Sequence, residues 1–337
     1  MDIRVSVIGA GSWGTTVAAL ASRNAPTQLW SRRATLAEQI DQEHENGDYL
    51  AGFRLPSQLR ATADLERAVT EADLLVMGVP SAGFRSALDA VKPHLRPWVP
   101  VVSLAKGLEL DTRLRMSQLI EEVLPGHPVG ILTGPNLAKE ILAGHAAASV
   151  IAMDDENVAK AVQQIFQADL FRVYINEDII GCEMGGVLKN VIAIASGMAD
   201  GLGAGDNTRA AVITRGLSEV TRMGVALGGE PLTFSGLAGM GDLVATCIST
   251  QSRNRHVGER LGKGETIDEI IAAMNMVAEG VKTSKVVMEL ADELGIDMPI
   301  ASEVYGVCHE GRTAAEAYGG LLRRGAGREM DGISPAR

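Results

Sequence analysis

The chain is poor in aromatic residues, which make up 4% of its 337 residues, and it has no block of basic side chains. Its net charge of -11 at pH 7 argues against nucleic acid or an anionic membrane as partner, so an anionic ligand would need a local basic pocket. The three cysteines show no CxxC or zinc-type spacing, and histidine pairs at metal-ligand spacing are missing. We therefore expect reduced thiols and no metal site.

Targeting signals are also lacking. The N-terminus enters an apolar strand without a charged leader, and no apolar run is expected to reach the length of a membrane span. These features predict a cytoplasmic protein without membrane insertion. The length favours two domains, and the many Gly and Ala residues favour closely packed helices.

The most informative feature present is a strand that leads directly into a glycine-rich turn. Residues 5–14 read VSVIGAGSWG, which combines a strand, a GxGxxG turn and a helix start. In such a turn Gly9 permits the tight bend, Gly11 lets a pyrophosphate approach the backbone, and Gly14 lets the helix pack on the strand. The pattern favours a dinucleotide at the helix N-terminus over a purely structural turn.

Apolar strands alternate with helical segments through the first half of the chain. Strands are expected at 4–8, 27–30, 74–79, 100–104, 129–132, 148–152 and 171–174. Helices are expected at 35–45, 65–70, 82–91 and 113–123, with Asp64 and either Asp111 or Thr112 as caps. This order predicts an α/β dinucleotide-binding domain over 1–180, built on a doubly wound, Rossmann-type parallel sheet.

The composition changes near residue 180 and becomes rich in Ala, Gly and Met. Helices are expected at 186–199, 209–227, 266–274 and 282–294, between polar or glycine-rich breaks. We predict an all-α substrate-binding domain over 181–325 and a mobile tail over 326–337.

The end of the second predicted strand bears on the choice of cofactor. NAD-selective domains place a carboxylate there to accept from the ribose 2'-hydroxyl, whereas this chain has Arg32 and Arg33. The two arginines would neutralise a 2'-phosphate, which favours NADP(H); because arginine also stacks on adenine, NAD(H) is admitted too. A solvated arginine pair at a helix start is the alternative.

Two polar groups follow predicted strands of the sheet. Lys106 and the turn 134–136 come after strands whose carboxyl ends line the ligand cleft of an open parallel sheet. An ordinary surface lysine is the alternative for Lys106, and Asn136 is also placed to cap a helix.

The second domain holds a lysine in an apolar setting. Lys189 lies in a small, apolar helical stretch, where burial would lower its pKa toward the range useful for proton transfer. A snorkelling lysine is the alternative. Asp242, which ends a glycine-rich turn, is expected to pair with a lysine or to cap the next helix.

A polar cluster at 252–254 is suited to an anion. Arg253 brings a guanidinium, and Ser252 and Asn254 add neutral donors, a combination that fits a phosphate at a helix start. A solvated basic loop is the alternative. Glu279, just before a glycine, is a candidate for contact with a ribose or a carboxamide.

Seven motifs in this order resemble the bacterial NAD(P)-dependent glycerol-3-phosphate dehydrogenases over nearly the whole chain. The motifs are GAGSWG at 9–14, SLAKGLE at 103–109, TGP at 133–135, LKN at 188–190, GMGDL at 239–243, SRN at 252–254 and EG at 279–280. The resemblance implies reduction of dihydroxyacetone phosphate to sn-glycerol 3-phosphate, a supply of glycerophospholipid precursor, and a homodimer.

The resemblance also implies roles for individual residues. It makes Lys189 the proton-transfer residue, with Asp242 holding it in place and Lys106 stabilising negative charge. The implied dinucleotide contacts are Gly9, Gly11, Ser12, Trp13, Gly14, Arg32, Arg33, Lys106, Ala138, Arg253, Val277 and Glu279. The implied substrate contacts are Lys106, Gly134, Asn136, Lys189, Asp242, Ser252, Arg253 and Asn254, although many relatives carry Ser in place of Asn136.

Two other functions stay open on the residues alone. A related two-domain hydroxy-acid or sugar-acid dehydrogenase would share the fold, and a non-catalytic NADP-binding sensor would share the glycine turn. The SRN motif favours a phosphorylated substrate over the first. The joint presence of Lys106, Lys189 and Asp242 favours an enzyme over the second.

Overall fold

The computed structural model of the protein describes residues 3–274, 278–323 and 325. The chain divides into two compact units between Ile179 and Ile180, one residue from the predicted boundary. Val277 and the tail 326–337, both named above, lie outside the described residues.

The first unit is built on one eight-stranded sheet in the order β3-β2-β1-β4-β5-β6-β7-β8. Its strands are β1 Val5–Ile8, β2 Thr27–Trp30, β3 Arg60–Thr62, β4 Leu74–Met77, β5 Val101–Ser103, β6 Val129–Thr133, β7 Ala147–Met153 and β8 Phe171–Asn176. Its helices are α1 Ser12–Ala21, α2 Ala34–Glu43, α3 Leu65–Thr70, α4 Phe84–Val91, α5 Met116–Val123, α6 Ala138–Leu142 and α7 Glu156–Phe166. The predicted Rossmann-type fold class is confirmed.

Side chains alternate between the two faces of this sheet, and each face packs against helices. Val5 and Val7 of β1 join a core with α1, α2 and α7, whereas Ile8 joins a second core with α3, α4 and α5. Two buried layers on one sheet are the hallmark of a doubly wound unit.

The sheet is parallel as predicted except at one place, where β6 and β7 pair antiparallel. The connection between them contains only α6, whose five residues rise about 7 Å, whereas the five residues of β6 span about 17 Å. So short a helix does not return the chain to the level at which β6 begins. The next strand, β7, therefore runs antiparallel to β6.

Helix starts in the first unit agree only partly with the prediction. Asp64 is confirmed as a cap, since its carboxylate accepts from the backbone N–H of Arg67 at 3.0 Å. Neither Asp111 nor Thr112 caps α5, which begins later, at Met116. The Thr112 hydroxyl donates instead to the Glu109 carboxylate at 2.5 Å, which keeps this segment in a turn.

The second unit is helical in all its described elements, as predicted. Its helices are α8 Ile179–Gly201, α9 Asp206–Ala226, α10 Asp242–Ile248, α11 Arg253–Gly262, α12 Ile267–Ala273, α13 Glu279–Leu294, α14 Pro299–His309 and α15 Ala314–Arg323. A single π-helical turn, Leu237–Gly241, leads into α10.

Helix α8 is the centre of this unit. Contrary to the sequence-based expectation, its 23 residues are long and apolar enough to cross a membrane, but 94% of its apolar window is buried inside the protein. Glycines let α11 approach it closely: a Cβ added at Gly197 or Gly201 would collide with backbone of α11, and one added at Gly258 would collide with the Ile194 carbonyl. The apolar character of α8 thus reflects a central position in a helical core.

Candidate active site

The glycine turn between β1 and α1 has three glycines, of which two are required by the packing of the backbone. Gly9 has φ +116°, and a Cβ there would lie 2.6 Å from the Gly78 carbonyl oxygen. A Cβ on Gly14 would overlap the Gly9 carbonyl oxygen. A Cβ on Gly11, in contrast, would meet no protein atom within 4 Å. Open space therefore faces the N-terminus of α1 at the residue where a pyrophosphate is expected, so the turn fits a dinucleotide.

The two residues that follow in α1 differ in what their side chains do. The Ser12 hydroxyl donates to the Tyr49 carbonyl oxygen at 3.4 Å. The Trp13 ring packs beside the Phe171 ring, and its Nε1 is buried without a hydrogen-bond partner among the described residues. At the helix start, the group of Trp13 that could donate to a phosphate in the manner of a helix N-terminus is its backbone N–H.

The end of β2 carries the predicted arginine pair. Arg32 is exposed, whereas the Arg33 guanidinium lies 2.6 Å from the Asp48 carboxylate and 5.7 Å above the centre of the Tyr49 ring. Arg33 is half exposed, as the alternative of a solvated arginine requires, but it also has two defined neighbours. Sequence reasoning missed both Asp48 and Tyr49, which no periodic pattern links to Arg33.

The loops after β5 and β6 meet at their carboxyl ends, as the sequence predicted. Lys106 Nζ donates to the Gly134 carbonyl oxygen at 2.8 Å. Asn136 accepts through Oδ1 from the Ser149 hydroxyl, and its Nδ2 is buried without a partner among the described residues. Asn136 does not cap α6, which Leu137 precedes without a side-chain cap; Ala138 is the first residue of that helix.

In the second unit a lysine and a carboxylate form a buried pair. Lys189 Nζ donates to the Asp242 carboxylate and, at 2.6 Å, to the Thr246 hydroxyl. That hydroxyl donates in turn to the Asp242 carbonyl oxygen at 2.7 Å. The Lys189 and Asp242 side chains are 7% and 2% exposed, so the snorkelling alternative is wrong. Sequence reasoning missed Thr246, although it lies one helical turn after Asp242 and thus on the same face.

The cysteine near the Lys189–Asp242 pair, Cys247, carries a neutral thiol. Burial raises the pKa of the Cys247 thiol to about 12, and the nearby Lys189 ammonium opposes that rise without cancelling it. Cys247 is therefore neutral at physiological pH and not a nucleophile.

A second polar chain joins three helices of the same unit. Asn254 donates through Nδ2 to the Asn190 side-chain oxygen at 2.9 Å, and its own Oδ1 accepts from the Gly280 N–H at 3.0 Å. These bonds link α8, α11 and the first turn of α13, which begins at Glu279. The residues next to Lys189 and Glu279 are thereby held in register.

The cluster at the start of α11 separates into structural and exposed members. The Ser252 hydroxyl accepts from the Arg255 N–H at 3.2 Å and caps the helix, and Arg255 itself pairs with Asp200 at 2.8 Å. Arg253 is exposed at the first turn of α11. The capped N-terminus of α11 and the exposed guanidinium together offer donors and positive charge to which an anion could bind.

The first unit is a doubly wound sheet with an open dinucleotide turn, and the second is a helical unit with a buried lysine–carboxylate pair. This combination defines the class of two-domain dinucleotide-dependent dehydrogenases. The comparisons with known proteins narrow this class. Residues 4–159 match the N-terminal and residues 178–319 the C-terminal family profile of NAD-dependent glycerol-3-phosphate dehydrogenase. The chain belongs to this family.

Individual relatives match over almost their full length. The chain is 62% identical over 329 residues to glycerol-3-phosphate dehydrogenase [NAD(P)+] 2 of Sphingopyxis alaskensis, covering 98% of this chain and 99% of that protein. It is 55% identical over 330 residues to glycerol-3-phosphate dehydrogenase [NAD(P)+] 1 of Mycobacterium tuberculosis, covering 98% and 97%. The crystal structure of the Coxiella burnetii glycerol-3-phosphate dehydrogenase superimposes with a TM-score of 0.91 at 35% identity, covering 96% and 99%.

Proposed function

We propose that the protein reduces dihydroxyacetone phosphate to sn-glycerol 3-phosphate with NADPH, and that NADH serves as a second donor. The observation that carries the proposal is the buried contact of Lys189 with Asp242 and Thr246. A sensor without turnover would gain nothing from a lysine kept out of water at such a cost in desolvation. The family profiles over both units also favour this substrate over a hydroxy acid or a sugar acid.

The nicotinamide, when bound, supplies the hydride that the carbonyl carbon accepts. The protein's own residues stabilise and then neutralise the negative charge that develops on the carbonyl oxygen. Lys189 gives that oxygen a proton and is left neutral until solvent reprotonates it. Asp242 and Thr246 hold the amine in one orientation by accepting hydrogen bonds from it.

The remaining site residues bind and orient. We assign the pyrophosphate to the turn of Gly9, Gly11 and Gly14 with the first amides of α1, and the ribose phosphate to Arg32 and Arg33. Further dinucleotide contacts are assigned to Ser12, Trp13, Lys106, Ala138, Arg253, Val277 and Glu279.

The substrate side of the site is assigned by the same logic. Lys106 is proposed to stabilise the developing oxyanion, and Arg253 to grip the phosphate, so that binding energy remote from the carbonyl orients the reacting carbon. Gly134, Asn136, Ser252 and Asn254 complete the assigned substrate contacts. The buried Asn136 Nδ2 supports its assignment as a donor to substrate.

Steady-state kinetics test the proposal directly. Loss of NADPH absorbance is followed with dihydroxyacetone phosphate and, as the matched control, with dihydroxyacetone, and both are repeated with NADH. We expect turnover with the phosphorylated ketone and a kcat/KM at least about a hundredfold lower without the phosphate, because the remote binding energy is then lost. Equal rates with both ketones, or no turnover with either donor, would overturn the proposal.

We further propose a cytoplasmic homodimer without nucleic-acid partners or membrane insertion, whose product enters glycerophospholipid synthesis. The buried cysteines, none of them in a disulfide, support a reducing compartment. Light scattering after size-exclusion chromatography tests the dimer, and a monomer mass would refute it.

A further inference from the structure

The loop after α2 brings a carboxylate to the end of β2, where the strand itself has none. Asp48 lies 2.6 Å from Arg33, and each of the two side chains is half exposed. The pairing of β1 with β2 places the glycine turn beside the end of β2. The Gly9 N–H donates to the carbonyl oxygen of Trp30, two residues before Arg32, at 3.0 Å. Asp48 therefore borders the region expected to receive the adenosine ribose.

This loop is fastened to the dinucleotide turn. The fully buried Asn46 donates through Nδ2 to the Ala10 carbonyl oxygen at 3.0 Å and to the Thr15 hydroxyl at 2.8 Å. Its Oδ1 accepts from the Tyr49 N–H at 3.2 Å, and the Tyr49 carbonyl accepts from Ser12. Asn46 and Tyr49 flank Asp48, so the position of this carboxylate is set by the glycine turn itself.

We propose that Asp48 is the residue that sets the choice between NADPH and NADH, an inference that rests on the proposed use of both donors. With NADH, its carboxylate accepts from the ribose 2'-hydroxyl, the role that a carboxylate at the end of the second strand plays in NAD-selective domains. With NADPH, it competes with the 2'-phosphate for Arg33 and repels the phosphate charge. An exposed ion pair contributes little to stability, so Arg33 exchanges one anion for the other readily.

The test is direct binding of each dinucleotide to the full chain without substrate, measured by isothermal titration calorimetry. Asp48→Asn keeps the shape of the side chain and removes its charge. We expect it to tighten NADPH about five- to tenfold and to leave NADH binding equal or weaker, since one removed like charge near the surface corresponds to about this factor. The ratio of the two dissociation constants is the readout.

Two further variants make the outcome specific. Glu43→Gln removes the same charge from the last turn of α2 and should leave the ratio within about twofold. In an Arg33→Ala background, Asp48→Asn should change NADPH affinity clearly less than in the wild type, because the contested guanidinium is gone. An unchanged ratio in Asp48→Asn, with an unaltered melting temperature, would overturn the assignment. Failure of the wild type to bind either dinucleotide would instead overturn the proposed cofactors.

Discussion

At the scale of single residues, two glycines three positions apart serve different purposes, one in the fold and one in ligand binding. Gly11 and Gly14 belong to one motif, yet only Gly14 is required by the fold, because a Cβ there would overlap the Gly9 carbonyl oxygen. Gly11 has an ordinary φ of -74° and open space in front of it. The fold tolerates a side chain at Gly11, and the ligand does not.

This contrast gives a matched pair of variants. Gly11→Ala should keep the melting temperature within about 2 °C and weaken NADPH binding at least about tenfold, because the methyl group takes the place of the pyrophosphate. Gly14→Ala should destabilise the protein by about 1–3 kcal/mol, since overpacking against backbone outweighs the gain of about 1 kcal/mol from replacing a helical glycine. Thermal unfolding and calorimetric binding check both variants, and unimpaired NADPH binding by Gly11→Ala would contradict the assigned pyrophosphate position.

Lys189 is the residue on which turnover should depend most. Lys189→Ala should lower kcat by about 10²–10⁴-fold, the usual contribution of a positioned proton donor, while NADPH affinity changes little. Because the buried Asp242 carboxylate then lacks its lysine partner, stability should also fall by about 3–5 kcal/mol, so rates are compared well below the melting temperature. Lys160→Ala, a surface lysine of α7, is the control. A kcat within a few-fold of wild type would remove Lys189 from the proton-transfer role.

At the scale of elements, the sequence predicted the strands with buried patterns and missed one short edge strand and several helices, both short and long. Strands with buried, periodic patterns were predicted to within about two residues at each end. β3 was missed because its three residues at the sheet edge carry no pattern, and α10 because its seven residues follow a glycine-rich turn. The longer helices α7, α14 and α15 were not predicted either. The direction of β7 depended on the length of α6, which no local signal reveals.

Some residues of the candidate site were predictable from the sequence and others were not. Motif residues such as Lys106 and Gly134 are brought together as expected, since parallel strands end at one edge. Asp48, Tyr49 and Thr246 were missed for different reasons. The first two reach Arg33 through a loop anchored by Asn46, whereas Thr246 had a readable signal in its i+4 spacing from Asp242.

The packing of α8 on α11 predicts a sharp dependence on side-chain size. Gly258→Ala should destabilise the second unit by about 1–3 kcal/mol, because the added methyl group would force the helix backbones apart at the Ile194 carbonyl. Gly319→Ala in α15 is the matched control: its Cβ would meet no atom within 4 Å, so it should stabilise by about 0.5–1 kcal/mol. Chemical denaturation of both variants checks the opposite signs. A neutral or stabilising Gly258→Ala would refute close contact of the helices.

At the scale of the whole molecule, one buried carboxyl ties stability to pH. Glu219 on α9 accepts from the backbone N–H groups of Ile300 and Ala301 at 2.6 and 3.1 Å, at the start of α14. Burial raises its pKa to about 7 from the ordinary 4.5, against the opposing effect of these hydrogen bonds and of Arg222, while Asp297 adds to the rise. The folded state therefore holds a proton that the unfolded chain has released.

The sign of the effect follows from proton counting. Between pH 4.5 and about 7 the folded state binds more protons at Glu219, so this group's contribution is fully present below pH 4.5 and is lost as the pH rises toward 7. The loss amounts to at most about 3 kcal/mol. Denaturation of wild type and Glu219→Gln at pH 5 and pH 7.5 checks it: the stability of the wild type relative to the variant should fall over that interval. A difference that is constant or rises with pH would contradict a raised pKa.

The glycine contact between α8 and α11 also sets an order of events during synthesis. The α11 residues that cover Gly197 and Gly201 are encoded about 60 codons after them. At about 5–20 residues per second, the ribosome leaves this face of an apolar, membrane-length helix uncovered for roughly 3–12 s. During this interval that face of α8 lacks the α11 contacts that bury it in the folded unit. Its close packing becomes possible only once the chain has reached Gly262.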